Sequence, residues 1–247
     1  MTPTSDPDYD RWLRGHLVLR TAEQWQTWDD MRPLLRPLAP VSDRKARLFE
    51  CACLRRLWHA PEMASARPAV ETWERLAEGA AGPQEVGAAA RVLRQLRESV
   101  TIVMGGEWGQ SFCDAEDYHP EPWMTALRTC EAMDVLAGRL VRRAAGLEDG
   151  RPDWGHRAAE QRGQRDLVRC LFANPFRPVT CDPAWRTPTA TGLAHGIYAE
   201  RAFDRLPILA DALQDAGCQD AAILNHCGAA GPHARGCWVV DLLLGKR

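Results

Sequence analysis

Along most of the chain, apolar residues recur at alternating intervals of three and four, the repeat of an α-helix that buries one face. Trp25, Trp28 and Met31 begin the pattern, which Pro33, Pro37 and Pro40 then interrupt. A short helix and a proline-rich connector are predicted there. Ser42 is placed to cap the next helix, with Ala46, Phe49, Cys53, Leu54, Leu57 and Trp58 on one side and Arg44, Lys45, Arg55 and Arg56 on the other. Pro61 stops it. Pro68 suits the first turn of a helix striped by Val70, Trp73, Leu76 and Ala77 and closed at Gly79. Pro83 opens another, with Val86, Ala89, Leu93, Leu96 and Val100 in register.

The rhythm breaks over residues 101–122, where a glycine pair, an acidic cluster and two prolines predict a long loop. It resumes from Trp123 to Gly146. The stretch LEDGRPDWG reads as a connector, and a further helix is predicted from about His156 to Phe172, stopped by Asn174 and Pro175. Beyond an extended, proline-punctuated segment, Thr187 and Pro188 mark a helix carrying Leu193, Ile197 and Tyr198. Leu206, Leu209 and Leu213 line the next, which ends at Gly217. Asp220 caps AAILNHC, and after the loop GAAGPHARG the run CWVVDLLL leads to Gly245. By composition this last run also suits a buried strand, but a lone strand has no partner to pair with, so helix is preferred.

The expectation is therefore an all-α fold, an irregular multi-helix bundle with long loops and short C-terminal helices. Residues 1–41 form an N-terminal segment and connector, 42–172 a helical bundle region, and 173–247 a C-terminal helical region packed with it as one domain. The expected core includes Phe49, Cys53, Leu57, Val86, Leu93, Leu96, Leu206, Leu209, Leu213, Trp238 and Leu242. Composition agrees with helix: isoleucine occurs four times and tyrosine three in 247 residues, so residues that favour pleated sheet are scarce.

Charge narrows the function. The formal net charge is -2, which argues against wholesale phosphate neutralisation and hence against nucleic acid as the main partner. No run approaches the ~18–20 apolar residues of a membrane span, and the first residues lack a signal-peptide profile, so a soluble, cytoplasmic protein is expected. The nine cysteines are odd in number and scattered, and are read as thiols. Arginine outnumbers lysine 29 to 2, a skew that coding bias explains more simply than selection for forked carboxylate contacts. Ten tryptophans against five phenylalanines suggest interface anchors, with Trp25, Trp28, Trp108 and Trp154 as candidates because they lie in or beside irregular segments.

The runs NPFRPVTCDPAW, IYAERAFDRLPILADALQDAGCQDAAILNHC and GPHARGCWVVDLLLGK resemble the C-terminal region of a large paralogous family of uncharacterised bacterial proteins, abundant in planctomycetes. The upstream SDRKARLFECACLRRLWH is similar to a second block of that family, and together the blocks cover about 90 residues. In other members the C-terminal block accompanies regulatory and repeat-bearing proteins. The resemblance implies an interaction or regulatory role and carries over no catalytic residues. At Leu54 relatives often have another cysteine, which weakens a metal role for the upstream block.

Several groups could carry chemistry. Cys51 and Cys53 point about 200° apart on a helix and His59 lies about 12 Å along it, so these three cannot chelate one ion. Cys53 reads as packing, and Cys51, Arg55 and His59 as a row facing a partner or another domain. Asp114, Glu116, Asp117, His119 and Glu121 form an acidic loop without calcium-loop spacing, and Gly105 with Gly106 is too isolated for a phosphate cradle. The densest group is His226, Cys227, His233 and Cys237, two ligands of each type within twelve residues around a Gly/Pro loop. Packed thiols and satisfied histidines are the first reading, a zinc site the second. The third makes Cys237 a nucleophile with His226 or His233 as base. The function expected is a helical module that binds another protein or regulates it, without catalysis, cofactor, nucleic acid or membrane. Its alternative is a zinc-binding or thiol-dependent protein using the C-terminal cluster.

Overall fold

The computed structural model describes residues 19–29, 34, 36–38, 41–102, 133 and 154–246. Helix accounts for 69% of the structure, and no strand occurs among the described residues. The all-α expectation holds. No helix among them is long and apolar enough to cross a membrane. The acidic loop, Gly105, Gly106, Trp108 and, apart from the buried helical Met133, the helix expected from Trp123 lie outside the described residues, as does the side chain of Trp154.

Two compact units are present, residues 41–164 and residues 1–40 together with 165–247. The N-terminal segment thus groups with the C-terminal region, and the division falls inside a helix rather than after Phe172.

In the unit 41–164, helix α2 (Asp43–Arg56) is capped by Ser42, whose hydroxyl accepts from the Lys45 amide at 3.3 Å. Helices α3 (Arg67–Ala77) and α4 (Pro83–Ile102) follow, with α3 packed on both. Sequence predicts a one-sided α2, but Leu48, Phe49, Glu50, Cys51, Ala52, Cys53 and Leu54 are buried in succession, so the middle of the helix is enclosed all round. That enclosure buries carboxylates, and each is answered. Glu74 receives both arms of the Arg55 fork at 2.6 and 2.9 Å, and Glu50 accepts from the Trp73 indole at 2.9 Å. Arg55 also lies over the Trp58 ring, 4.3 Å from its centroid.

The other unit starts with α1 (Ala22–Thr27), capped by Thr21, whose hydroxyl accepts from the Gln24 amide. Helix α5 (Trp154–Leu171) contributes residues 165–171. Helices α6 (Pro188–Glu200), α7 (Leu206–Asp215), α8 (Ala221–Gly228) and α9 (Trp238–Leu244) complete it. Helix α6 packs on α7 and α9, and α8 also packs on α7 and α9. The caps are those read from sequence: Thr187 accepts from the Ala190 amide, and Asp220 from the amides of Ala222 and Ile223. CWVVDLLL is helical from Trp238 and stops at Gly245, which takes a left-handed φ of 67°. Leu206, Leu209, Leu213, Ile223, Val239, Val240 and Leu243 close the core.

Candidate metal centre

Four side chains from three helices and a loop converge in this unit. Cys170 sits in the last turn of α5, His226 in the last turn of α8, His233 in the loop that follows, and Cys237 at the N-cap of α9. The loop turns sharply to deliver the last of them. Gly236 adopts φ 90°, a conformation strained for any residue with a β-carbon, and the Cys237 amide bonds back to the Ala234 carbonyl at 2.9 Å.

One ligand atom from each of Cys170, His226, His233 and Cys237 lies within 4.8 Å of all the others. His226 Nε2 stands 3.2 Å from Cys237 Sγ, and Cys170 Sγ stands 3.5 Å from His233 Nδ1. The two imidazoles meet edge to face with centroids 5.0 Å apart, and the Trp238 ring flanks His226 at 5.3 Å. His233 Nε2 is 3.2 Å from the Ala229 carbonyl, a group that can only accept. Placing the proton on Nε2 leaves the Nδ1 lone pair aimed at the sulfurs, the arrangement by which a backbone carbonyl orients a ligating histidine.

Both sulfurs are buried and both histidines half-buried. Burial alone would raise the Cys237 thiol, but its hydrogen bonds with Cys170, His226 and His233 outweigh that and hold it well below the usual thiol range. For His233 burial pushes downward, and the bonds to Cys237 and the Ala229 carbonyl reverse the direction, so it is raised. Together these shifts favour a Cys237 thiolate beside a protonated His233, a proton that a metal would have to displace.

Of the four residues grouped from sequence, His226, His233 and Cys237 come together and Cys227 does not. Its place is taken by Cys170. Successive helical residues point about 100° apart, so His226 and Cys227 of α8 cannot both face one centre. Cys227 is buried in the core instead, and burial, with Cys237 and Cys218 nearby, pushes its thiol up to about 12. Cys170 lies 56 residues before the nearest other ligand, beyond what local density can reveal. The one hint was a cysteine on the periodic face of a helix rich in arginine.

The remaining candidates fall elsewhere. Cys51 and Cys53 are both buried, and Cys51 Sγ lies 3.7 Å from the Val70 carbonyl, under α3. With Arg55 committed to Glu74 and only His59 exposed, the row Cys51, Arg55 and His59 is not an open face. Trp25 is enclosed at 1% exposure and Trp28 is half-buried, so neither is a free surface anchor. The nucleophile reading meets its own obstacle: an imidazole is in reach of Cys237, but the sulfur-bearing residue is 0% exposed, and a nucleophile must be reachable by substrate. The cavity beside the cluster, bounded by Phe203, Pro207, the 228–231 loop and His233, does not include Cys237.

Compared with family models, with curated proteins and with solved structures, the chain matches none.

Proposed function

We propose that this protein is a non-catalytic helical module whose C-terminal unit is held together by one zinc ion on Cys170, His226, His233 and Cys237. The observation that carries this reading is the mutual approach of four ligand atoms, all within 4.8 Å, from separate parts of the chain. Ligands about 2.0 to 2.3 Å from one tetrahedral centre stand about 3.3 to 3.8 Å apart, and the pairs at 3.2 and 3.5 Å are close to that spacing. Two thiolates and two neutral imidazoles would balance a divalent ion, which suits a buried site.

A two-sulfur, two-nitrogen set favours zinc over hard cations, which take oxygen ligands. Four protein ligands leave no open position for water or substrate, so the ion's role is to join α5, α8 and α9 rather than to react. A unit stabilised in this way is suited to presenting a surface to another protein, in keeping with the interaction or regulatory role that the resemblance of its C-terminal block implies. The test is elemental analysis of protein purified without chelators. One zinc per chain, lost in Cys170→Ser and His233→Ala, is the expected result. Metal-free protein that cannot be loaded with zinc would overturn the proposal.

A further inference from the structure

The attachment of the N-terminal helix ends one residue from a proposed metal ligand. Helix α1 has six residues, whereas an isolated helix needs ~12–15 to persist in water, so its structure depends on what holds it. The holding groups come from one short stretch of chain. Arg169 donates from Nε to the Trp25 carbonyl at 3.1 Å and from Nη2 to the Trp28 carbonyl at 2.8 Å. Arg165 Nη1 donates to the Asp29 carbonyl at 2.8 Å, and Asn174 Nδ2 to the Ala22 carbonyl at 3.1 Å. Carbonyls at and beyond a helix C-terminus lack amide partners within the helix, and a guanidinium there also meets the negative end of the helix dipole. Trp25 and Leu19 are buried in the docked state.

Arg169 precedes Cys170 in the last turn of α5, which ends at Leu171. Helix ends fray, and a metal bond at Cys170 would fix this turn and with it the Arg169 backbone. We infer that metal binding at Cys170, His226, His233 and Cys237 controls the docking of residues 19–29, with Arg169 as the positioning residue that links the two. This rests on the zinc reading above. Coupling between two binding events is reciprocal, so the docked helix in turn favours the metal-bound arrangement. Withdrawal of the metal releases α1 and uncovers Trp25, now buried at 1% exposure.

Hydrogen exchange on the full chain reads the docking directly, because the Trp25 and Trp28 amides bond to the Thr21 and Gln24 carbonyls. Three samples are compared, with zinc content measured on each: zinc-loaded protein, the same protein after metal withdrawal by a chelator, and zinc-loaded Arg169→Ala. Protection of these two amides should fall by about tenfold or more on metal withdrawal, the effect of losing hydrogen bonds to a charged group. Amides of α2 and α3 should keep theirs. Arg169→Ala should retain one zinc per chain, lose the same protection and bind zinc about tenfold more weakly in competition with a chromophoric chelator. Asn174→Ala, which removes one bond and no charge, should lose less of each. If zinc binds but the Trp25 and Trp28 amides stay protected without it, or if Arg169→Ala leaves zinc affinity unchanged, the coupling is wrong and the metal site stands. If no zinc binds to the unaltered chain, the metal reading itself fails and takes the coupling with it.

Discussion

Cys170 Sγ and His233 Nδ1 face each other at 3.5 Å although 63 positions of sequence separate them. The pair brings a fourth ligand from α5 to three that the α8–α9 hairpin supplies on its own, so cysteine substitutions at two buried positions should behave oppositely. Cys170→Ser should abolish stoichiometric zinc, because a hydroxyl is a poor replacement for a thiolate ligand. Cys227→Ala should keep one zinc per chain and cost only about 1 kcal/mol or so for the small void left in a packed core. Zinc loss in Cys227→Ala with retention in Cys170→Ser would restore the grouping read from local sequence density and refute the one seen in space.

The stretches that sequence reads correctly are those governed by neighbours along the chain. Ser42, Thr187 and Asp220 cap where expected, and Gly79, Gly217 and Gly245 all take the positive φ of helix ends. Leu206, Leu209 and Leu213 form a buried stripe, while Leu57, Val86, Leu96, Trp238 and Leu242 are only half-buried. Periodicity finds a face and not its depth: Leu242 and Leu243 differ by one position, yet Leu243 is enclosed and Leu242 only half-buried. Three of the four clustered side chains are legible in the sequence for the same reason. His226, His233 and Cys237 lie within one hairpin, whereas Cys170 reaches them through a tertiary contact that no local pattern encodes.

Arg55 and Glu74 should be far less tolerant of change than exposed ion pairs. Glu74 is nearly enclosed and takes both arms of the guanidinium. Arg55→Ala would take the bidentate guanidinium from a buried carboxylate and should cost about 3–5 kcal/mol in urea unfolding. Arg55→Lys should recover little of it, since a single ammonium cannot reproduce the fork or its stacking on Trp58. Full recovery by lysine would mean that charge alone matters at this position.

Cys51 should confer an alkaline limit on stability. Burial, then the Glu74 and Glu50 carboxylates, push its thiol well above the ordinary range. The unfolded chain releases this proton near pH ~8.5, while the folded chain holds it. Stability is therefore complete below the unfolded value and declines as pH rises from there through the folded one, by at most about 1.4 kcal/mol per pH unit. Urea titrations at pH 8 and pH 10 should show a smaller decline in Cys51→Ala than in the unaltered protein. Equal declines would assign the alkaline loss to other groups.

Gly163 should resist a substitution that normally strengthens a helix. It lies within α5, where alanine is ordinarily about 1 kcal/mol better than glycine. Here a β-carbon would overlap the Arg56 guanidinium, the group that donates from Nε to Glu160 Oε1 at 2.8 Å. An arginine end can usually swing aside, but Glu160 is only 6% exposed, so displacing Arg56 takes the cation from a buried carboxylate that the Gln164 amide at 3.3 Å does not neutralise. Gly163→Ala should thus destabilise by about 1–3 kcal/mol, the range for forcing extra volume into a filled site. Arg56→Ala should also destabilise, through the lost pair. Once Arg56 is gone, however, the overlap with the guanidinium is relieved, and alanine at 163 regains its helix preference. The double substitution should therefore be more stable than Arg56→Ala alone, with a coupling of about 2–4 kcal/mol between the two sites. Additive effects in the double-mutant cycle would show that the guanidinium does not occupy the space left by the missing side chain at 163.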